Sequence, residues 1–295
     1  MVSLPIRDWQ ISYGEESSYG TEATPDQFLL ARTVDPSERV NLKRIRHAGN
    51  RGYFIQILGK KEYSGSFEYL VQNGKFLKFA LGACLDSGSD PYTHEITEND
   101  TLPSFTLEVA MGSFVRRYAG CKVSKLTISN AVDEPLRASV DWIAQSVAKY
   151  GSATSVTDVT TEPYVFSQGA VTINSEAAAG VQSFDWTFDN GSHAIPHLGD
   201  DEIAYLIGGP RSSEVSMEIV LLDSTYWDLL TAGTEFDAYI LYTRGANDTL
   251  RIDWFDCKLE EDPIPGPEDA EAITQTLAIR PKSTKITVVD SIASY

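Results

Sequence analysis

The chain has 295 residues, 42% of them hydrophobic, and a formal net charge of −18. Ordinary hydrophobicity at this length fits one large or two medium soluble domains, and the acidic balance excludes a general nucleic-acid binder, which needs a basic face. No apolar run approaches the roughly 18 residues of a membrane helix, and the scattered cysteines Cys84, Cys121 and Cys257 give neither a disulfide framework nor a CxxC or Cys/His spacing for structural zinc.

Met1 to Asp8 lacks the charged and apolar regions of a secretory leader, so the chain is expected to fold in a cytoplasm. Residues 1–40 are predicted to form an extended arm: Ile11 to Thr21 is rich in Gly, Ser and Tyr and has no strand or helix period. Its aromatics suit a segment that docks on another surface. The one basic cluster follows, with Arg44, Arg46, His47 and Arg51 between Lys43 and Gly52. In so acidic a protein it is expected to pair with carboxylates of a neighbouring subunit. A strand is predicted from Tyr53 to Leu58.

The next stretch is written twice. Ser66 to Leu70 alternates as a strand does, and is followed by Asn73 as a helix cap, a short helix whose Phe76, Phe79 and Ala80 share one face, and Gly82 as a C-cap. Ser216 to Val220, Asp223, the Tyr226, Leu229 and Leu230 face, and Gly233 repeat that order. The likeness continues. Phe105–Val109 corresponds to Phe236–Ile240, Cys121–Ser124 to Cys257–Glu260, and Leu136–Trp142 to Ile273–Ile279. Further strands are predicted over Lys122–Ile128, Ala170–Ile173, Val181–Phe188 and Thr249–Phe255, with a linker at residues 145–165. The whole reads as mainly β with one short helix per copy.

The copies differ in two respects. The first carries an extra segment, Ala83 to Ser104, with the turn signature Asp86-Ser87-Gly88-Ser89-Asp90-Pro91. It is predicted to be a surface loop, and a loop that long in a compact module is often a binding loop. Charge is also lopsided. Residues 1–150 hold 17 Lys/Arg and 18 Asp/Glu, whereas residues 151–295 hold 7 and 24. Tandem modules point to assembly more than to catalysis.

Candidate chemistry is thin. His193 and His197 are four apart with Asp200, Asp201 and Glu202 close behind, but Pro196 and the flanking glycines disfavour the helix that would let the two histidines share a metal. Asp86 to Asp90 lacks the twelve-residue spacing and terminal glutamate of a calcium loop. No GxSxG, P-loop, GxGxxG or HExxH occurs. Trp142, Trp186, Trp227 and Trp254 could line a sugar groove beside paired carboxylates, but their strand and helix patterns assign them to a core. No catalytic, cofactor or metal residue is assigned.

Three stretches resemble tail tube proteins of long-tailed viruses of bacteria or archaea. They are Tyr13-Gly14-Glu15-Glu16-Ser17-Ser18-Tyr19-Gly20-Thr21; Phe105–Val109 with Arg116-Arg117-Tyr118-Ala119-Gly120-Cys121-Lys122-Val123; and Leu136–Ile143. The resemblance spans residues 10–145, and the second half enters through its likeness to the first. It implies two tandem tail-tube-like β-sandwich/barrel modules, each with one short flanking α-helix, plus an extended N-terminal arm. The division is 1–40 arm, 41–150 first module with the inserted loop 83–104, and 151–295 second module.

It further implies a structural virion protein and not an enzyme, made in the host cytoplasm. Its expected partners are itself, as trimeric pseudo-hexameric rings stacked into a hollow tube, with a tape measure and tail terminator or baseplate proteins. DNA passes without tight binding, and no membrane is involved. Part of the second half's negative charge is expected to face the lumen, and the insert to reach a neighbouring ring or the outer surface. The alternatives are a distal tail, baseplate or secretion-system ring, and a carbohydrate-binding or hydrolytic β-protein.

Overall fold

A computed structural model describes residues 9–199, 201–261 and 273–295. The elements of the first half are β1 (Trp9–Glu15), β2 (Gln27–Phe28), β3 (Ala31–Ile45), β4 (Ile55–Leu70), α1 (Lys78–Leu81, entered by a 3-10 turn at Lys75–Leu77), β5 (Gly82–Gly88), β6 (Tyr92–Glu98), β7 (Phe105–Met111), β8 (Phe114–Ala131), β9 (Arg137–Ala144) and β10 (Ser146–Tyr150). Those of the second are β11 (Gly169–Ile173), β12 (Glu176–Ala177), β13 (Val181–Asp189), β14 (His193–Ile195), β15 (Tyr205–Ile207), β16 (Ser212–Val220), α2 (Thr225–Ala232), β17 (Phe236–Gly245), β18 (Asp248–Glu261), β19 (Thr274–Arg280) and β20 (Ser283–Asp290).

Period-two patterning builds the centre of the molecule. In β13, Phe184, Trp186 and Phe188 are buried while Gln182 and Asp185 face solvent; in β16, Val215, Met217 and Ile219 are buried while Glu214, Ser216 and Glu218 are exposed. These strands belong to one antiparallel sheet in the order β3-β4-β9-β8-β13-β16-β19-β18. The long strands β8 and β18 leave this sheet at their N-terminal ends and enter outer sheets. In the first half the outer sheet runs β2-β1-β7-β8-β10. In the second it runs β12-β11-β17-β18-β20-β6-β5. The core lies between inner and outer layers. Trp142 packs on Tyr118 at 4.9 Å, and Trp186 on Trp254 at 6.3 Å.

The sequence repeat is a repeat of register. Phe105 faces Cys121 and Phe236 faces Cys257, and a bulge follows immediately in both pairs. Val123 faces Trp142 as Leu259 faces Ile279, again with a bulge next. Phe67 faces Val140 as Met217 faces Leu277. Ile11 faces Val109 as Val171 faces Ile240. A shared bulge is informative because a one-residue slip would reverse which side chains face the core. The halves join through β8 and β13, where Ile128 faces Trp186.

Several expectations need revision: residues 146–150 of the expected linker form β10 on β8, and residues 31–40 of the expected arm belong to the inner-sheet strand β3. Trp9–Glu15 is a strand, although Ile11 to Thr21 has no period; both faces of Ile11 to Gly14 are covered, so alternation has nothing to select. The segment docks on its own chain, with Tyr13 edge-on to Phe76 at 5.0 Å and to Phe79 at 5.7 Å. The segment from Ala83, expected as a surface loop, is largely the β5–β6 hairpin, and β6 pairs with β20 of the second half. Residues 1–8 of the expected arm lie outside the described residues.

Candidate assembly and lumen surfaces

The motif around Tyr13 is a clamp. The Glu16 carboxylate is buried and accepts bonds from the Gly20 N–H at 3.0 Å, the Gly120 N–H at 2.7 Å and the Thr106 hydroxyl at 2.8 Å. Glu15 Oε2 lies 2.5 Å from Lys78 Nζ on α1. Gly20 and Gly120 both have positive φ, 75° and 66°, and a Cβ on either would strike the Gln145 side chain. Arg117 donates to Glu108 at 2.7 Å and to Glu22 at 2.9 Å, tying the segment after the clamp to β7. Two of the three stretches that carry the resemblance, the one around Tyr13 and the one from Phe105 to Val123, therefore supply the contacts that lock 9–24 onto β7 and β8.

The solvent face of the inner sheet is predominantly polar. Its central rows combine Ser or Thr with charged residues: in one, Thr33, Glu68, Ser139, Thr127, Thr187 and Glu214 follow one another across five strand junctions. Across the second half, Asp185, Asp189, Glu214 and Glu218 share this face with Arg280 and its register partner Lys258 as opposing charges. Across the first, Asp35, Glu68 and Asp141 are offset by Lys125 and Arg137. Part of the second half's charge excess thus sits on this face.

The β3–β4 hairpin carries the basic cluster at its tip. Phe54 is 61% and Leu58 73% exposed there. Arg46 and Arg44 stand 4.7 and 5.3 Å from the Tyr53 ring, and their bonds to its hydroxyl hold it below the usual phenol range. Between Glu38 and Glu62 there is no acidic residue. Apolar and cationic groups therefore project together. At the base of the hairpin Lys61 Nζ meets Asp201 at 2.7 Å, so the β14–β15 segment leans on the first half.

The two helices occupy equivalent places with opposite exposure. Asn73 Oδ1 accepts from the Lys75 N–H at 3.0 Å, and Asp223 Oδ1 from the Thr225 N–H at 2.9 Å. Gly82 and Gly233 end them in the left-handed region, at φ 114° and 59°. Leu77 and Phe79 are fully buried, and groups of the second half help to cover α1: Asn190 Nδ2 donates to the Ala80 carbonyl at 2.9 Å, and the Tyr295 hydroxyl accepts from Gly74 N–H at 3.1 Å. No residue of α2 is buried, Trp227 is 50% exposed, and Leu222 before it is 69% exposed.

The residues weighed for chemistry fall apart in space. His193 and His197 are exposed on and beyond β14, Asp201 is engaged by Lys61, and Asp200 lies outside the described residues. Trp142, Trp186 and Trp254 are buried, so they line no sugar groove; Trp227 alone of the four faces solvent. Sequence reading missed the grouping of Cys84, Asp86 and His94, whose donor atoms lie within 4.8 Å of one another. The signal was the alternation Cys84-x-Asp86, which puts both on one face, and a turn that brings His94 opposite Asp86. Burial and the Asp86 contact push the Cys84 thiol up to about 12.

Residues 7–281 match the family model described as Phage tail tube protein. The chain belongs to the phage tail tube protein family. No curated protein matches it. The tail tube match covers both halves, so the second half is family sequence in its own right and not only by likeness to the first. The family is one of structural tail components of the virion, and the mainly β, antiparallel architecture agrees with it. As a tail tube protein, the chain self-assembles with other tail proteins into a tube.

Proposed function

We propose that residues 9–150 and 151–295 are two ring-building modules, and that three chains close into a pseudo-sixfold ring whose stack forms the conduit for viral DNA. The carrying observation is the contrast between α1 and α2. The first is covered in part by the second half of its own chain; the second presents Trp227 and Leu222 to solvent at the corresponding place. The first half of the next chain, seated on α2, would repeat the internal joint and propagate head to tail until the ring closes.

In this reading the inner sheets of three chains continue into one barrel, which removes the edges that β3 and β18 leave unpaired among the described residues. Their Ser/Thr and carboxylate face lines the lumen. Such a wall offers phosphate few cations to bind through counterion release, so DNA slides without sticking. The basic, apolar tip of the β3–β4 hairpin reaches the acidic surface of the adjacent ring. The chain then acts by assembly, without a catalytic centre, and is made in the host cytoplasm alongside a tape measure and tail terminator or baseplate proteins. Cryo-electron microscopy of polymer grown from purified protein tests this. A threefold ring with α2 under the neighbouring chain is expected. A protein that stays monomeric at high concentration, or a ring that leaves α2 in solvent, overturns it.

A further inference from the structure

The β5–β6 hairpin does more than extend a sheet. Its face toward β20 gathers a soft, a borderline and a hard donor at one point. Asp86 Oδ1 lies 2.7 Å from His94 Nδ1 and 3.4 Å from Cys84 Sγ. His94 is completely buried, and its other nitrogen, Nε2, faces Asp290 Oδ1 at 3.3 Å. The Tyr295 ring stacks on the imidazole at 3.7 Å with a 2° tilt, and its hydroxyl bonds the second Asp290 oxygen at 2.5 Å. The imidazole is thus fixed in place and orientation from the side away from the cysteine.

That is how histidine ligands are held in metal centres: one ring nitrogen donates to a carboxylate, which sets the tautomer and frees the other for the metal. We propose that Cys84 Sγ, Asp86 Oδ1 and His94 Nδ1 bind one zinc ion, with Asp290 and Tyr295 orienting the histidine and a solvent molecule in the fourth position. The mixed S, N, O set and the compact spacing select zinc over calcium or magnesium, which take oxygen ligands in larger number. Tetrahedral zinc needs an oxygen-to-nitrogen separation of about 3.3 Å; the Asp86 carboxylate, whose other oxygen accepts from the Tyr295 N–H at 3.3 Å, reaches it from 2.7 Å by a rotation that exchanges its bond to His94 for the metal. On binding, the Cys84 thiol loses its proton to solvent and the thiolate becomes the ligand, while the proton between Asp86 Oδ1 and His94 Nδ1 leaves that contact and His94 keeps its proton on Nε2, toward Asp290.

The consequence is mechanical. Two ligands lie on β5 and one on β6, all from the first half, while Asp290 and Tyr295 belong to the second. The ion would rivet the insert hairpin and, through His94, hold it on β20. It would lock the two halves at the outer wall, away from the β8–β13 joint of the inner sheet.

Elemental analysis of the full-length protein after dialysis against trace zinc, with cobalt(II) as a spectroscopic substitute, tests the site. One zinc per chain is expected, with a thiolate-to-cobalt charge-transfer band and a melting temperature raised by several degrees in excess zinc. Cys84→Ser, close to isosteric, should lose the band and most of the zinc, whereas Cys121→Ser and Cys257→Ser should keep both. Asp290→Asn should fold and keep the band but lower zinc affinity by 10- to 100-fold. Absence of stoichiometric zinc in the wild type overturns the proposal, and so does zinc retained in Cys84→Ser, which would place it at other groups such as His193 and His197.

Discussion

The helices α1 and α2 are one element in two environments. The same Asx turn precedes each, a left-handed glycine closes each, and each follows the strand that pairs with the last inner-sheet strand of its own half. Yet Leu77 is wholly buried while Trp227, in the same place after the cap, is half exposed. The difference is the one the proposed ring requires, in which a tandem chain completes one of its two interfaces internally and finds the other on the next chain. A second contrast supports this. After β1 the chain continues into the Glu16 clamp, whereas after β11 Asn174 and Ser175 take φ of 53° and 67° and turn the chain back into β12.

The comparison can be broken most forcefully at the helices. Leu77→Ala should destabilise the protomer by about 2–5 kcal/mol, the usual cost of emptying a core site, read as a lower denaturant midpoint. Trp227→Ala should shift protomer stability by less than about 1 kcal/mol and yet abolish rings in negative-stain micrographs. Equal protomer destabilisation by both would show that α2 is an ordinary core helix. Next comes the clamp. Glu16→Gln replaces an acceptor shared by two N–H groups and a hydroxyl, and should cost roughly 1–3 kcal/mol, measured by chemical denaturation, with hydrogen exchange rising first at Gly20 and Gly120.

Reversing the hairpin tip, as Arg44→Glu with Arg46→Glu, should leave the protomer's melting unchanged and slow tube elongation. The wild-type rate should fall with added salt while the variant's should not, because screening acts on exposed charges. The smallest effect separates the caps. The Thr225 hydroxyl and N–H hold the Asp223 carboxyl below its usual range. A depressed folded pKa gives stability that is present above the unfolded value, near 3.9, and is lost as pH falls through the lower folded value. Acidification through that window should therefore raise amide exchange at Thr225, while Lys75, capped by the neutral Asn73, should show no such step.

The sequence by itself determined the local rules. Alternation in Val181–Phe188 and Ser216–Val220 made strands whose buried faces are the expected ones, whereas Phe105–Val109, equally alternating, is buried on both faces. Gly82 and Gly233 end both helices as expected, while Asn73 and Asp223 sit one residue before the N-caps Gly74 and Ser224. The order of elements revealed the repeat and, with the Tyr13 to Thr21 motif, the family. These are short-range signals, because caps, periods and turns act within a few residues. Tertiary structure decided what lies across distance. It turned residues 9–15 into a strand whose centre, Ile11 to Gly14, is buried on both faces, where no period can be read, and sent the segment from Ala83 to pair with β20 nearly two hundred residues away in sequence. It brought Cys84, Asp86 and His94 together with Asp290 and Tyr295, and it left Trp227 in solvent where the pattern alone assigned it to a core. The pairing partner, and not the residue pattern, fixes which of two similar surfaces is covered.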